Sequence, residues 1–151
     1  MPRWATNDAP TQRAYDALVQ RVCPCIIVVH SQGAAFAFNA ALNAPDKIRA
    51  VVAVEPSGAP DPARVDMARI KNVPHLFVWG DYIDRHVVWQ RIVMAPNRYR
   101  DALRAAGGRV EMLDLPAEGV RGNSHMLMMD RNSDDIARRV EAWITQLNLA
   151  P

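Results

Sequence analysis

Two uninterrupted apolar runs, Cys25–His30 (CIIVVH) and Ala50–Glu55 (AVVAVE), separated by a helical stretch, constrain this chain most. Neither alternates apolar with polar residues, and both are rich in Val and Ile. Strands buried on both faces of a parallel sheet read this way. His75–Trp79 (HLFVW) and Arg109–Leu115 (RVEMLDL) add two further runs. Gln32–Asn43 is nearly all Ala, Phe and Leu and stops at Ala44-Pro45, which predicts a buried helix ended by proline. Pro10–Val22 offers Ala14, Tyr15, Leu18 and Val22 as a helical stripe. Asn97–Ala106 places Tyr99, Leu103 and Ala106 on one side, then meets Gly107-Gly108. Ser133–Leu149 carries Ile136, Val140, Trp143, Ile144 and Leu147 on one stripe. There Ser133 is the expected N-cap, with Asp134 and Asp135 at the positive end of the dipole. The order α-β-α-β-loop-β-α-β-α predicts an α/β fold: a mostly parallel sheet of about four strands with helices on both faces.

With 151 residues the chain suits one domain, 1–151, and at 50% apolar and 23% charged residues it has the profile of a packed protein. A four-stranded sheet entered from a helix leaves an apolar edge and part of a face uncovered. The chain therefore reads as the C-terminal half of a larger domain, its edge to be covered by a second copy or by an N-terminal portion. Net charge is +2, and the 16 Arg and 2 Lys are scattered without a basic stripe, so nucleic acid is not the expected partner. No apolar run reaches the roughly 18 residues of a membrane span. Met1–Asp8 has no apolar core of the secretory type, so the chain as given is expected in the cytoplasm, or exported if the native start lies upstream. Cys23 and Cys25 flank Pro24. A spacing of two argues against a mutual disulfide, and two thiols are too few for a zinc site, so both read as small apolar residues entering a strand. Neither a metal nor any other cofactor is expected.

The run Ile26–Val29 leads through His30 into Ser31, and a helix starts at once. So tight a turn lifts a serine above the carboxyl edge of the sheet, where the helix dipole and backbone N–H groups face the same point. Gly33 and the alanines after it let the helix lie close against the strand. The form is that of a nucleophile elbow, G-x-S-x-G, with Val29 in place of the first glycine. The bland alternative is a serine N-cap on a buried helix. A serine nucleophile needs a base, and His125 lies in Gly122-Asn123-Ser124-His125-Met126, after the last strand and on the same sheet edge. An exposed loop histidine is the alternative there. His30 is less attractive because its side chain points away from that of Ser31, and His75 enters a strand at the wrong end. His86 belongs with a short helix. The base needs an orienting carboxylate. Glu55 closes the second run in Val54-Glu55-Pro56-Ser57-Gly58 and is preferred, since a carboxylate there is costly without a partner. Asp84 and Asp81, after the third run, are the alternative acids, with turn formation as their simpler role.

These residues together resemble the α/β-hydrolase superfamily, and within it a bacterial esterase branch with a V-H-S-Q-G elbow and a Glu acid. The resemblance covers Pro10 to about Leu147 and rests on the elbow at Ser31, Val-Glu-Pro-Ser-Gly at Glu55, Trp-Gly-Asp at Asp81 and Gly-Asn-Ser-His at His125. The order Ser…Glu…His is the superfamily's. Most members place the acid about three residues after a Trp-Gly; Ile83 stands there, which favours Glu55. The resemblance implies hydrolysis of a small-molecule ester through an acyl-enzyme, with Ser31 as nucleophile, His125 as base and Glu55 as its orienting acid. It also implies an oxyanion donor at the N–H of Gln32 and a second donor from a loop of an earlier strand, ahead of Pro10. Losing one such donor costs about 10²–10³ in rate. The competing reading is a catalytically impaired half-domain that works by association with a second copy or partner chain. A nucleotide-binding module is disfavoured, since no Gly-rich phosphate loop is present. Met126–Met129 reads as core more readily than as an acyl pocket, while Tyr82, Trp79 and Trp89 are candidates to face substrate.

Overall fold

Four mutually parallel strands, hydrogen-bonded in chain order, form the sheet of the computed structural model, which describes residues 5–149. They are β1 (Cys25–His30), β2 (Ile48–Val54), β3 (His75–Trp79) and β4 (Val110–Asp114). The expectation that Met1–Asp8 is not a secretory signal falls partly on residues 1–4, outside the described residues. Helix α1 (Asp8–Val22) precedes β1, α2 (Gly33–Asn43) joins β1 to β2, α3 (Val87–Ile92) and α4 (Met94–Ala105) join β3 to β4, and α5 (Ser133–Gln146) follows β4. One apolar cluster unites α2, the Tyr99 and Leu103 side of α4, and Val51, Ala53 and Phe77 of the sheet. A second, on the opposite face, joins Val52, Leu76 and Val78 to Ile136 and Trp143 of α5. The alternation of Cβ directions along a strand produces this division. Among the described residues, no helix is long and apolar enough to cross a membrane.

Four expectations need correction. On α1 the buried stripe runs through Tyr15, Val19 and Cys23, while Leu18 and Val22 are more than half exposed. Two i, i+4 rows compete on that helix, and the row facing α2 is set by tertiary contact that periodicity does not see. β1 is an edge strand, and Val28, on the side away from α2, is 61% exposed, so β1 is not buried on both faces. Asn132 is the N-cap of α5, and Ser133 is its first helical residue. Cys23 and Cys25 form a disulfide across Pro24. The chain turns there from α1 into β1, bringing the two Cα atoms to 4.5 Å, within bridging range although an extended dipeptide step would not be.

Gly33 opens α2 directly above β1. A Cβ on it would stand 2.8 Å from Cγ2 of Val29, a stiff β-branched neighbour in the strand. Gly33→Ala is therefore expected to lower stability by about 1–3 kcal/mol, despite alanine's better helix propensity. Denaturant unfolding checks this, and a variant as stable as the parent contradicts the close approach.

Candidate active site

Each strand of this sheet delivers one part of the site at its carboxyl end, where open parallel sheets gather their ligands. Ser31 follows β1, Glu55 follows β2, Gly80 and Asp81 follow β3, and the loop after β4 carries His125. Ser31 and Glu55 both have left-handed backbones, with φ of 54° and 47°. Such a conformation costs a residue with a Cβ about 1–2 kcal/mol. One further ladder-like bond holds each: the Ser31 N–H donates to Val54 O, and the Glu55 N–H to Val78 O. The turn then throws the side chain out of the sheet instead of along it. Ser57 N–H donates to Ser31 O, folding the segment after β2 against the elbow, and the two serine Oγ atoms lie 3.5 Å apart.

The structure brings Ser31, His125 and Glu55 together. Ser31 Oγ is 2.8 Å from Nε2 of His125, and Nδ1 of the same ring is 3.2 Å from Oε2 of Glu55. An ionised carboxylate only accepts, so Nδ1 carries the ring proton and Nε2 is left to accept from the hydroxyl. Glu55 is 2% exposed, and its Oε1 accepts from the Gly80 N–H. Burial lifts the Glu55 carboxyl to about 7, opposed by that N–H and by the nearby His30. Burial also holds His125 below its ordinary value. The N–H of Gln32 sits at the N-terminus of α2, where a helix leaves its first donors without intrahelical acceptors.

The alternative acids go elsewhere. Asp81 accepts from the N–H groups of Tyr82 and Gly122 and pairs with Arg121, so it secures the loop that carries His125. Asp84 lies in an exposed 3₁₀ turn, and its backbone carbonyl accepts from Gln90. His75 is fully buried between Val73 O and the Tyr99 hydroxyl, and burial drops it to about 4. His86 caps α3, its Nδ1 accepting from the Val88 N–H. Met126, Met128 and Met129 are exposed and only Leu127 of that run is buried, so the core reading of the run is corrected. A 3₁₀ turn at Leu127–Met129 points one residue inward and the rest to solvent. Trp79 is buried, Tyr82 is exposed, and the Trp89 ring lies 4.3 Å from that of His125. Tyr82, Ile83, His86 and Trp89 line a cavity of about 260 Å³ beside His125.

Sequence reasoning missed what holds the loop. Asn123 is buried and donates to Asp130 and Asn132, while Ser124 gives both its N–H and its hydroxyl to Asp130. A loop with no ladder of its own needs such side-chain acceptors, and an Asp and an Asn a few residues downstream of His125 were the available signal. Gly80 was also passed over. A Cβ there would stand 3.1 Å from Oε1 of Glu55 and 3.2 Å from the carbonyls of Asn123 and Ser124. Gly80→Ala is expected to lower stability by about 1–3 kcal/mol and to raise the Glu55 carboxyl further by stretching its N–H bond. Denaturant melts and a carboxyl-carbon NMR titration check this; an unmoved Glu55 titration contradicts the contact.

Residues 24–109 match the α/β-hydrolase fold family. A bacterial esterase of known structure is similar at 36% identity and a TM-score of 0.82, over 93% of this chain and 43% of that one. A CIB-like hydrolase from Thermoplasma acidophilum shares the fold, with a TM-score of 0.58 at 19% identity, over 95% of this chain and 63% of that one. A probable secreted lipase, phiG, of a fungal species is 24% identical over 91% of this chain and 50% of its own length. The chain thus spans about half the length of the esterase and lipase it matches.

Proposed function

The chain belongs to the α/β-hydrolase fold family, and from that premise we propose that it hydrolyses carboxylic esters through Ser31, His125 and Glu55. The observation that carries this is the unbroken line from the Glu55 carboxyl through both nitrogens of His125 to the Ser31 hydroxyl. The similar esterase and lipase supply the substrate class. Ser31 Oγ attacks the ester carbonyl as Nε2 of His125 takes its proton, and Glu55 holds the imidazolium that forms. The N–H of Gln32 meets the oxygen on which negative charge develops. His125 then gives its proton to the leaving alcohol, and water, activated by the same ring, releases the acid from the acyl-serine. The cavity beside His125 lies at the small end of ligand pockets, which fits a small ester substituent.

Ser31→Ala is expected to lose about 10⁴–10⁶ in p-nitrophenyl acetate turnover while keeping the parent's melting temperature. Full turnover in that variant would falsify the proposal. The pH dependence has a definite sign. His125 must be unprotonated to accept a proton, and Glu55 must be ionised to stabilise the imidazolium, so both work in forms that rising pH favours. With His125 held low and Glu55 near 7, kcat/KM is expected to climb as pH rises towards 7 and to level off above it. The limb belongs to the coupled pair and not to either group alone. A flat profile between about pH 5 and 8 contradicts this assignment.

The open groove beside β1, lined by Val28, Val54, Met128 and Ile144, favours a second reading, in which the chain works by association with a second copy. That reading expects a dimer with Val28 covered and no acylation at Ser31. A monomer in sedimentation that turns over ester contradicts it.

A further inference from the structure

We infer that His30 is a positioning residue for His125, its imidazole tying the loop that carries the base to the strand that carries the nucleophile. The inference rests on the reading of Ser31 and His125 as nucleophile and base. His30 ends β1 immediately before Ser31. Strand alternation sends its side chain to the face opposite Val29. That direction places it beneath the segment running from β4 to α5. Its Nε2 donates to the backbone carbonyl of His125 at 2.8 Å, across 95 residues of sequence. A carbonyl only accepts, so this bond fixes the proton on Nε2 of His30.

The two imidazoles also touch, with ring centroids 4.5 Å apart and planes inclined by 39°. The Trp89 ring centroid lies 4.3 Å from that of His125. Two aromatic rings thus pack near the base, and one of them also binds its backbone carbonyl. The Asp130 network fixes Asn123 and Ser124, upstream of the base. The bond from His30 falls on His125 itself and springs from the residue adjoining the nucleophile. It sets the strand-to-loop spacing on which the 2.8 Å contact between Ser31 Oγ and Nε2 depends. Misplacing reacting groups by about 1 Å costs on the order of 10²-fold in rate.

The test compares His30→Phe, which keeps a ring but lacks the donor, with His30→Gln, whose amide N–H reaches about as far as Nε2. Both are made in the full chain. Three quantities are read: the rate constant of fluorophosphonate labelling at Ser31, kcat and KM for p-nitrophenyl acetate, and the melting temperature. His30→Phe is expected to slow labelling and kcat by about tenfold to a hundredfold with KM nearly unchanged, and His30→Gln to recover most of the loss. A merely structural role would lower the melting temperature and leave the labelling rate of the folded protein intact. Parental labelling in both variants, or a Gln variant no better than Phe, overturns the inference. If His30→Phe does not fold, His30→Asn, too short to reach the carbonyl, takes its place in the comparison with Gln. Ser31→Ala is run alongside. Retained turnover there defeats the triad reading, whereas a silent Ser31→Ala beside a fully active His30→Phe defeats the positioning role alone.

Discussion

At φ 54° the backbone of Ser31 occupies space that a side-chain-bearing residue rarely enters, and Glu55, at the end of the neighbouring strand, does the same at 47°. Neither conformation is intrinsically favourable, and each is held by the continuing ladder bond to the next strand. Everything else in the site follows from this pair of turns. They take a hydroxyl and a carboxyl out of the planes of two parallel strands and aim them at a common point above the sheet edge. The flat, alternating geometry of the strands could not do so by itself. The close fit of Gly33 over Val29 belongs to the same requirement, because α2 must start at once after the turn for its N-terminus to face the serine.

Burial of Glu55 carries an electrostatic tension. Removing a carboxylate from water raises its affinity for a proton, and here two groups oppose that: the Gly80 N–H and the nearby His30. Burial thus acts on both partners, lifting the Glu55 carboxyl to about 7 and holding the His125 ring below its ordinary value. In the proposed reaction a proton passing from Ser31 to His125 leaves an imidazolium beside this carboxylate. A fully solvated carboxylate would be a firmer anion but a weaker partner, since water would screen its attraction for the imidazolium.

Much of this arrangement was legible in the residues. Continuous Val and Ile runs identified β1 and β2, and the run into Ser31 followed by Gly33 marked the tight turn between β1 and α2. Glu55 was legible because a carboxylate ending an apolar strand demands a partner, and Nδ1 of His125 lies at that partner's distance. What was not legible depended on three-dimensional neighbours. The buried row of α1 was chosen by contact with α2, and β1 lies at the edge of the sheet, which exposes Val28. The Cys23–Cys25 bridge needed a tight bend at Pro24 that spacing alone does not reveal. His30 offers no such signal, since strand alternation sets it on the face opposite Val29. Its ring nonetheless reaches the base, because the loop from β4 passes over that face.

The central claim is that Ser31 becomes covalently acylated. Rapid acid quenching of the protein mixed with p-nitrophenyl acetate, followed by peptide mass spectrometry, tests it most directly. The account predicts an acetyl adduct on the peptide containing Ser31, formed in a burst that matches nitrophenol release and decaying as ester is consumed. Ester turnover with no adduct on that peptide at any quench time, or an adduct on another residue that forms at the burst rate, would contradict it.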